Sequence, residues 1–374
     1  MNNFDKLTLE LTHKLTLNEK KQNGIYFTPQ TAIKLLVDKI PIKPKNILEP
    51  ACGSGEFILY FNDKNITGIE LNKKINNKIK KKYNNIYNNN FLNYNKYNYH
   101  DLIIGNPPYY MIKTNYDSDL IYGRQNIYIL FIIHSMLLIK NNGIIAFIIP
   151  INFMNSSYYN KIREEIYKKW KIIDFVQYNN DIFIDTKQKV FGLIIQKNKG
   201  DNNKFVYIKN DQYYFVFNKS LLPMYNYKTL KDIGYIVGVG TIQWDANKDN
   251  FIKKSNTILI YSSDIDNNQL KLKNNKYRYL SGNVKYLNEP LLILNRGYGN
   301  AKYNINTAIL DGTFNFQLEN HVLYIKSKNK TSINELKKIQ KSLQSDKTKE
   351  FINNLLYNNA INCFELSNII PIWF

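Results

Sequence analysis

The chain is short of arginine, of cysteine and of long apolar runs, and each shortage excludes something. Of its 51 basic residues only Arg124, Arg163, Arg278 and Arg296 are arginines. Lysine neutralises phosphate from any direction, whereas bidentate reading of a guanine edge favours the planar guanidinium fork. These four therefore draw more attention than any single lysine. The two cysteines, Cys52 and Cys363, lie far apart, which argues against a disulfide-built secreted scaffold. The cysteines and the four histidines show no ligand spacing suited to a metal, so none is expected. The most apolar stretch, Ile127 to Ile139, contains His134 and Ser135 and ends at Lys140; it is too short and too interrupted to span a bilayer. The N-terminus is polar and lysine-bearing, without the apolar core of a signal peptide. The expectation is a soluble cytoplasmic protein.

With 374 residues, 44% of them hydrophobic, the chain can bury a sizeable core, and its length suggests two domains. The formal net charge is +21. An acidic polymer is the natural partner, because each neutralised phosphate releases a condensed counterion. Codon bias of an AT-rich genome also inflates lysine, so charge alone is a modest argument.

The first half alternates helix and strand. Asn2 to Gln22 reads as a polar helix. Thr28 as N-cap and Pro29 at the first helical position start a second, with Ile33, Leu36, Val37 and Ile40 on one face. Ile47 to Glu49, Ile66 to Glu70, Leu102 to Gly105 and Ile144 to Ile149 read as buried strands, and Lys171 to Val176 and Val190 to Gln196 as two more. Helices are expected over Glu56 to Asn62, Asn72 to Tyr83, Asn126 to Ile139 and Ser157 to Trp170, with a turn at Lys140 to Gly143. Such alternation is the mark of a parallel, doubly wound α/β sheet. After about Tyr225 it is lost. Strand-like runs appear at Thr257 to Tyr261, Leu291 to Leu294 and His321 to Ile325, with one helix over Ile333 to Leu355. The expected division is a catalytic domain over 1–224 and an α+β domain over 225–374.

Two segments carry chemistry. The first is Glu49-Pro50-Ala51-Cys52-Gly53-Ser54-Gly55, a small-residue loop between strand and helix. Its glycines let the backbone approach a ligand closely. About twenty residues on, the next strand ends at Glu70, placed to accept ribose hydroxyls. A dinucleotide fingerprint wants a third glycine where this chain has Ile58. Glu49 would repel a pyrophosphate but would meet an amino acid's ammonium. That favours S-adenosylmethionine over a dinucleotide. The second segment is Asn106-Pro107-Pro108-Tyr109, at the edge of the sheet where ligands of open α/β sheets bind. The Asn106 side-chain carbonyl and the Pro107 backbone carbonyl can accept both hydrogens of an aromatic amine and pull its nitrogen toward tetrahedral geometry. Proline fixes the backbone, so its carbonyl is aimed in advance. Tyr109 can stack on the base. An adenine amine is paired inside a duplex, so such a base would have to be flipped out.

On these motifs the sequence resembles the gamma class of amino-methylating DNA methyltransferases of restriction–modification systems, the TaqI-like type. Tyr26-Phe27-Thr28-Pro29, the loop from Glu49 to Gly55, Glu70, Asn90-Phe91, Asn106 to Tyr109, Asn126-Ile127-Tyr128 and the strand before Pro150 fall in that family's order. The resemblance covers about 24 to 200 well, and Gly238-Val239-Gly240-Thr241 resembles the start of a specificity domain. It implies a Rossmann-like S-adenosylmethionine-dependent methyltransferase domain followed by an α+β target-recognition domain. The implied reaction is transfer of a methyl group to the N6 amino group of a flipped-out adenine in duplex DNA, by a monomer. By resemblance the cofactor residues are Thr28, Glu49, Ala51, Cys52, Gly53, Gly55, Phe57, Glu70, Asn90, Phe91 and Pro108. The catalytic ones are Asn106, Pro107, Tyr109 and Phe183, the last as the aromatic that stacks on the flipped base. Phe191 also fits that spacing, but lies in an apolar strand and reads as core. Asn90 stands where the family usually has Asp, so its carbonyl oxygen alone would meet the cofactor's adenine, with weaker binding.

For DNA contacts, lysines and tyrosines from Asn274 to Tyr286, Lys285 and Arg278 among them, can follow the backbone, and Arg296 and Tyr298 in a glycine-bearing loop can reach base edges. Gln243-Trp244 reads as a stacking or wedging pair if it meets DNA and as a buried tryptophan if it does not, and the buried reading is favoured. Enzymes that methylate RNA or a protein glutamine share the catalytic motif, but usually carry an N-terminal helical domain or an RNA-binding appendage. An inactive DNA-binding subunit would not need the intact motif. No nuclease constellation is evident, so a cognate restriction endonuclease would be a separate chain.

Overall fold

The structure is a computed structural model. It describes all residues except 1–3, 15, 17–18, 20–23, 62–64, 113–115, 117, 122, 124, 180–181, 184–187, 223–226, 282–284, 297–304, 358–359 and 374. The chain divides into two compact units, Met1–Tyr207 with Tyr213–Phe217, and Ile208–Gln212 with Asn218–Phe374.

In the first unit Ile47–Glu49 (β1), Ile66–Glu70 (β2), Ile86–Asn88 (β3), His100–Gly105 (β4), Ile139–Pro150 (β5), Lys171–Gln177 (β6) and Val190–Gln196 (β7) form one seven-stranded sheet. Its order is β3-β2-β1-β4-β5-β7-β6, the Rossmann-like sheet of S-adenosylmethionine-dependent methyltransferases. Strands β3 to β5 run parallel. Strand β7 is antiparallel to both β5 and β6, so the sheet is not wholly parallel as the alternation suggests. A parallel return needs a crossover, usually a helix, and the polar sequence of 178–189 offers no apolar helical face.

Helices over Lys6–Lys14 (α1), Gln30–Val37 (α2), Glu56–Tyr60 (α3), Lys73–Ile79 (α4), Ile127–Leu138 (α5) and Asn160–Lys169 (α6) complete the unit. Strand β5 is buried on both faces from Ile144 to Ile149, which is why it reads as an unbroken apolar run. Helix α5 runs straight into it, so the turn expected at Lys140 to Gly143 is strand. The irregularity is taken up by Asn142, at φ 63°, and by a register shift opposite His100 and Leu102. Helix α2 begins one residue later than expected: Pro29 is its N-cap and no side chain caps it, which leaves the Thr28 hydroxyl for another task.

The second unit is β-rich. Tyr235–Val239 (β8), Phe251–Ile252 (β9), Thr257–Ile260 (β10), Tyr279–Leu280 (β11), Leu291–Asn295 (β12), Thr307–Leu310 (β13), Asn315–Leu318 (β14) and Val322–Ser327 (β15) make two four-stranded sheets, in orders β8-β15-β12-β13 and β9-β11-β10-β14. The helix expected from Ile333 to Leu355 is two, Ile333–Gln344 (α7) and Asp346–Leu355 (α8). Ser345 separates them: its backbone is extended and its hydroxyl accepts the Thr348 N–H to cap α8. Ser, whose oxygen competes for backbone donors, is a natural place for such a break.

Gly68 in β2 shows how closely the sheet is packed against its helices. A Cβ there would lie 2.8 Å from Ile86 Cδ1 and 3.0 Å from Cys52 Sγ. Overpacking of this kind typically costs about 1–3 kcal/mol. Gly68→Val is expected to lower the urea midpoint by a corresponding amount with unchanged slope; an unshifted midpoint would show that β2 has slack.

Candidate active site

The parallel register places the ends of β1, β2 and β4 along one edge of the sheet. A cavity of about 240 Å³ opens there. Its walls include Tyr26 and Phe27 ahead of α2, Ala51 and Gly53 after β1, and Glu70 at the end of β2. Asn90 and Phe91 after β3, Asn106 and Pro108 after β4, and Ile127 and Phe131 of α5 complete it. Seven expected site residues thus line one cavity. Thr28, Glu49, Cys52, Gly55, Phe57, Pro107 and Tyr109 are not in its lining. Cys52 and Phe57 are buried in the core behind the loop. Gly55, at φ 83°, packs its open side on Ile79 and Tyr83. Gly53, at φ 50°, is the residue of the loop that the cavity needs in left-handed backbone.

Three carboxylates sit behind this edge. Glu70 is bound at both oxygens, by the Gly53 N–H at 2.9 Å and the Asn72 N–H at 2.6 Å. Burial nonetheless holds its carboxyl above the ordinary range. Glu49 is fully buried, and its Oε2 has no hydrogen-bond partner among the described residues. Burial first, then the charges of Glu70 and Glu56, push its carboxyl well up. Glu56, which opens α3, accepts from the Asp5 N–H, the Thr8 hydroxyl and the Gln30 amide. Sequence reading passed over this cluster, because no motif marks Thr8 or Gln30 as a partner of Glu56.

Asn106 is held at both ends. Its Nδ2 donates to Thr28 Oγ1 at 3.0 Å and, at 3.4 Å, to the Tyr26 carbonyl. This is the task of the uncapped Thr28. The Asn106 Oδ1 faces the Tyr109 hydroxyl, which also lies 2.7 Å from the Ile148 carbonyl. One hydroxyl proton can serve only one of them at a time; turned to Ile148, it leaves Oδ1 free to accept. The Tyr109 ring stacks on Tyr26, with centroids 6.3 Å apart, and burial holds its hydroxyl protonated far above the ordinary range. Gly24, at φ 61°, lies under Pro108 and Tyr109: a Cβ there would meet Pro108 Cβ and the Tyr109 nitrogen at 2.8 Å. Pro107 is buried beside them. Asn90 spends one lone pair of its carbonyl oxygen on the Leu92 N–H. Phe91 is fixed against Phe131 and His134. Ile127 and Phe131 went unassigned in the sequence because α5 is apolar all round, so no stripe shows which face meets the cavity.

The remaining assignments fare unevenly. Phe183 is buried in the sheet core with its ring edge-on to Tyr178, away from the cavity lining. Phe191 is fully buried, as read. Arg278 is not available to DNA: its guanidinium is buried on Asp264 and also donates to the Leu259 and Lys273 carbonyls. Arg163, buried likewise, donates to the carbonyls of Phe153, Ser156 and Tyr213. Lys285 is exposed. Arg296 is half-buried, with an Nε that has no hydrogen-bond partner among the described residues. Tyr298 and Arg124 lie outside the described residues. Trp244 is not buried but 42% exposed. Among the described residues there is no cluster of three metal-binding side chains, and no helix is long and apolar enough to cross a membrane.

The sheet order is that of the S-adenosylmethionine-dependent methyltransferase fold. More particularly, residues 6–183 match the Eco57I restriction-modification methylase family. The chain is similar over nearly its whole length to two viral enzymes. It is 28% identical to the modification methylase CviBIII of Paramecium bursaria Chlorella virus NC1A, over 99% of each chain. It is 25% identical to the type II methyltransferase M.CvrRI of Paramecium bursaria Chlorella virus XZ-6E, over 93% of each. Among solved structures, the M protein of the type I restriction enzyme EcoKI superposes with a TM-score of 0.39 at 19% identity, covering 50% of this chain and 48% of that one.

The residues present fit S-adenosylmethionine. Glu49 offers a buried carboxylate oxygen that lacks a partner, which the cofactor's ammonium would supply. Glu70 keeps lone pairs for hydroxyls, and Phe91 gives an aromatic wall. A carboxyl raised by burial contributes stability that is fully present below its unfolded value and is lost as pH rises through the raised folded value. Cofactor binding, which favours the ionised form, works the other way. Glu49→Gln is therefore expected to raise the melting temperature of the free protein at pH 8 more than at pH 5, and to weaken S-adenosylmethionine binding by calorimetry. An equal melting shift at both pH values would remove the buried charge from the account.

Proposed function

We propose that this chain is a type II DNA methyltransferase of a restriction–modification system, or an orphan of that kind, and that it methylates the N6 amino group of adenine in a short duplex sequence. The observation that carries the reading is Asn106. Its Nδ2 is satisfied by Thr28, and its Oδ1, bonded to the Tyr109 hydroxyl, is released beside the cavity when that hydroxyl turns to the Ile148 carbonyl. A half-buried amine acceptor at the rim of the cofactor cavity suits a flipped-out base. The similarity to the two viral methylases supports a DNA substrate, and the net charge of +21 agrees.

When bound, S-adenosylmethionine supplies an electrophilic methyl group. The chain's own residues do the rest. Asn106 Oδ1 and the Pro107 carbonyl accept the two hydrogens of the adenine amine and localise its lone pair. The Tyr109 ring is braced by Tyr26, and the Tyr109 hydroxyl turns from Asn106 to Ile148 to release Oδ1. No strong base is needed, since the methylated ammonium loses its proton readily. In this reading 1–224 act as the catalytic domain and 225–374 read the target, with Lys285 and Arg296 as DNA contacts.

Expression in a host free of adenine methylation, followed by sequencing that detects N6-methyladenine, tests the proposal. One short motif should be fully methylated, and none with Asn106→Ala, which should still bind S-adenosylmethionine. Unmethylated DNA from a cofactor-binding protein would sink the DNA reading. Thr28→Val, which frees the amide to turn, should lower kcat by about ten- to a hundredfold, with cofactor affinity nearly unchanged. An unaffected kcat would mean that Thr28 does not orient Asn106.

A further inference from the structure

Trp244 of the second unit presents its indole to solvent although it has a stacking partner. Its ring lies on Tyr277 with centroids 5.3 Å apart and planes 25° apart. Phe251 closes the other side of Tyr277 edge-on, at 5.3 Å. Two exposed lysines flank the pair: Lys248 Nζ lies 5.6 Å from the Trp244 centroid, and Lys276 Nζ 5.2 Å from that of Tyr277. Lys253 and Lys254 follow on the same exposed segment, which also carries Asp245 and Asp249.

The stack is rigidly founded. The Tyr277 carbonyl accepts from the Tyr261 hydroxyl, and the Arg278 guanidinium lies over the Tyr261 ring at 5.3 Å. The same guanidinium is locked to Asp264, which is fully buried. A buried ion pair beneath an exposed indole suits a contact surface, because side-chain order is in place before a partner arrives. Aromatic faces interleaved with lysines match a nucleic acid, whose phosphates take the cations while a sugar or base edge takes the ring.

Resting on the DNA reading above, we propose that the Trp244–Tyr277 stack with Lys248 and Lys276 is a duplex-DNA contact of the second unit. Trp244 packs on a groove wall and the two lysines neutralise phosphates. Arg278 serves this surface from beneath, as a positioning residue. Among the three tryptophans, Trp170 is buried and Trp373 half-buried, so quenching of tryptophan emission on DNA addition reports mainly on Trp244.

The test is titration of a short fluorescein-labelled duplex, by anisotropy, at several salt concentrations. Trp244→Ala should weaken binding by about tenfold or more. Trp244→Phe should retain most of it. Lys248→Gln with Lys276→Gln should lower the slope of log affinity against log salt by about 0.9 for each lysine removed. S-adenosylmethionine affinity should not change in any of them. Thermal melting checks that each variant is folded, and if Trp244→Ala is not, the phenylalanine and lysine variants carry the test. Tight duplex binding by the unaltered chain, with Trp244→Ala within about twofold of it and an unchanged salt slope, overturns this proposal alone. Absence of any duplex binding by the unaltered chain overturns it together with the DNA reading.

Discussion

The active edge depends on the parallel register of β1 between β2 and β4. Glu49 pairs with Gly68, and Leu48 with Ile103. That alignment brings the residues after three separate strands to one level. Glu70 and Asn106 come from distant parts of the sequence, and the sheet makes them line one cavity, with Glu49 buried at the end of β1. Because a one-residue slip would send every side chain to the opposite face, the buried rows of Ile47, Leu48, Ile103 and Ile104 fix the chemistry as firmly as they fix the core.

On this frame the site is built by opposed arrangements of polar groups. Glu56 and Glu70 are surrounded by donors; Glu49 is left wanting one. Buried polar atoms are rarely unpartnered, because desolvation without a hydrogen bond is costly. Under the proposed function, the partnerless oxygen of Glu49 is where the cofactor's cationic group would be accommodated. Asn106 is the complementary case. Its amide nitrogen is satisfied by Thr28 and Tyr26, and its oxygen is held only by a hydroxyl that has a second acceptor in Ile148. One carboxylate awaits a cation and one carbonyl can be released to an amine.

Arginine is scarce, and two of the four serve the interior. Arg163 and Arg278 are buried among backbone carbonyls, where a planar cation with five donors can satisfy several acceptors at once. A solvent-facing role falls to lysines and aromatics, of which the Trp244 stack is the most organised example. For Arg163 and Arg278, the scarcity that singled out arginines in the sequence pointed to the interior.

Local chemistry was legible without a structure. The strand-loop-strand pattern ending on Glu49 and Glu70, the Asn106 to Tyr109 turn and most element positions in the first unit follow from apolar runs, glycines and prolines. These signals act over a few residues, so the sequence determined them. Tertiary structure alone decided the rest. It returned Val190–Gln196 antiparallel, took Thr28 from a helix cap to Asn106, and turned Cys52, Phe57 and Phe183 into the core. It also buried Arg278 and exposed Trp244. In each case the deciding partner is distant in sequence: Asn106 for Thr28, Gly68 for Cys52, Tyr277 for Trp244. For Arg278 the partner is Asp264, fourteen residues away. Residue type and spacing say which bonds a side chain can make; packing decides which partner reaches it first and whether water is left beside it.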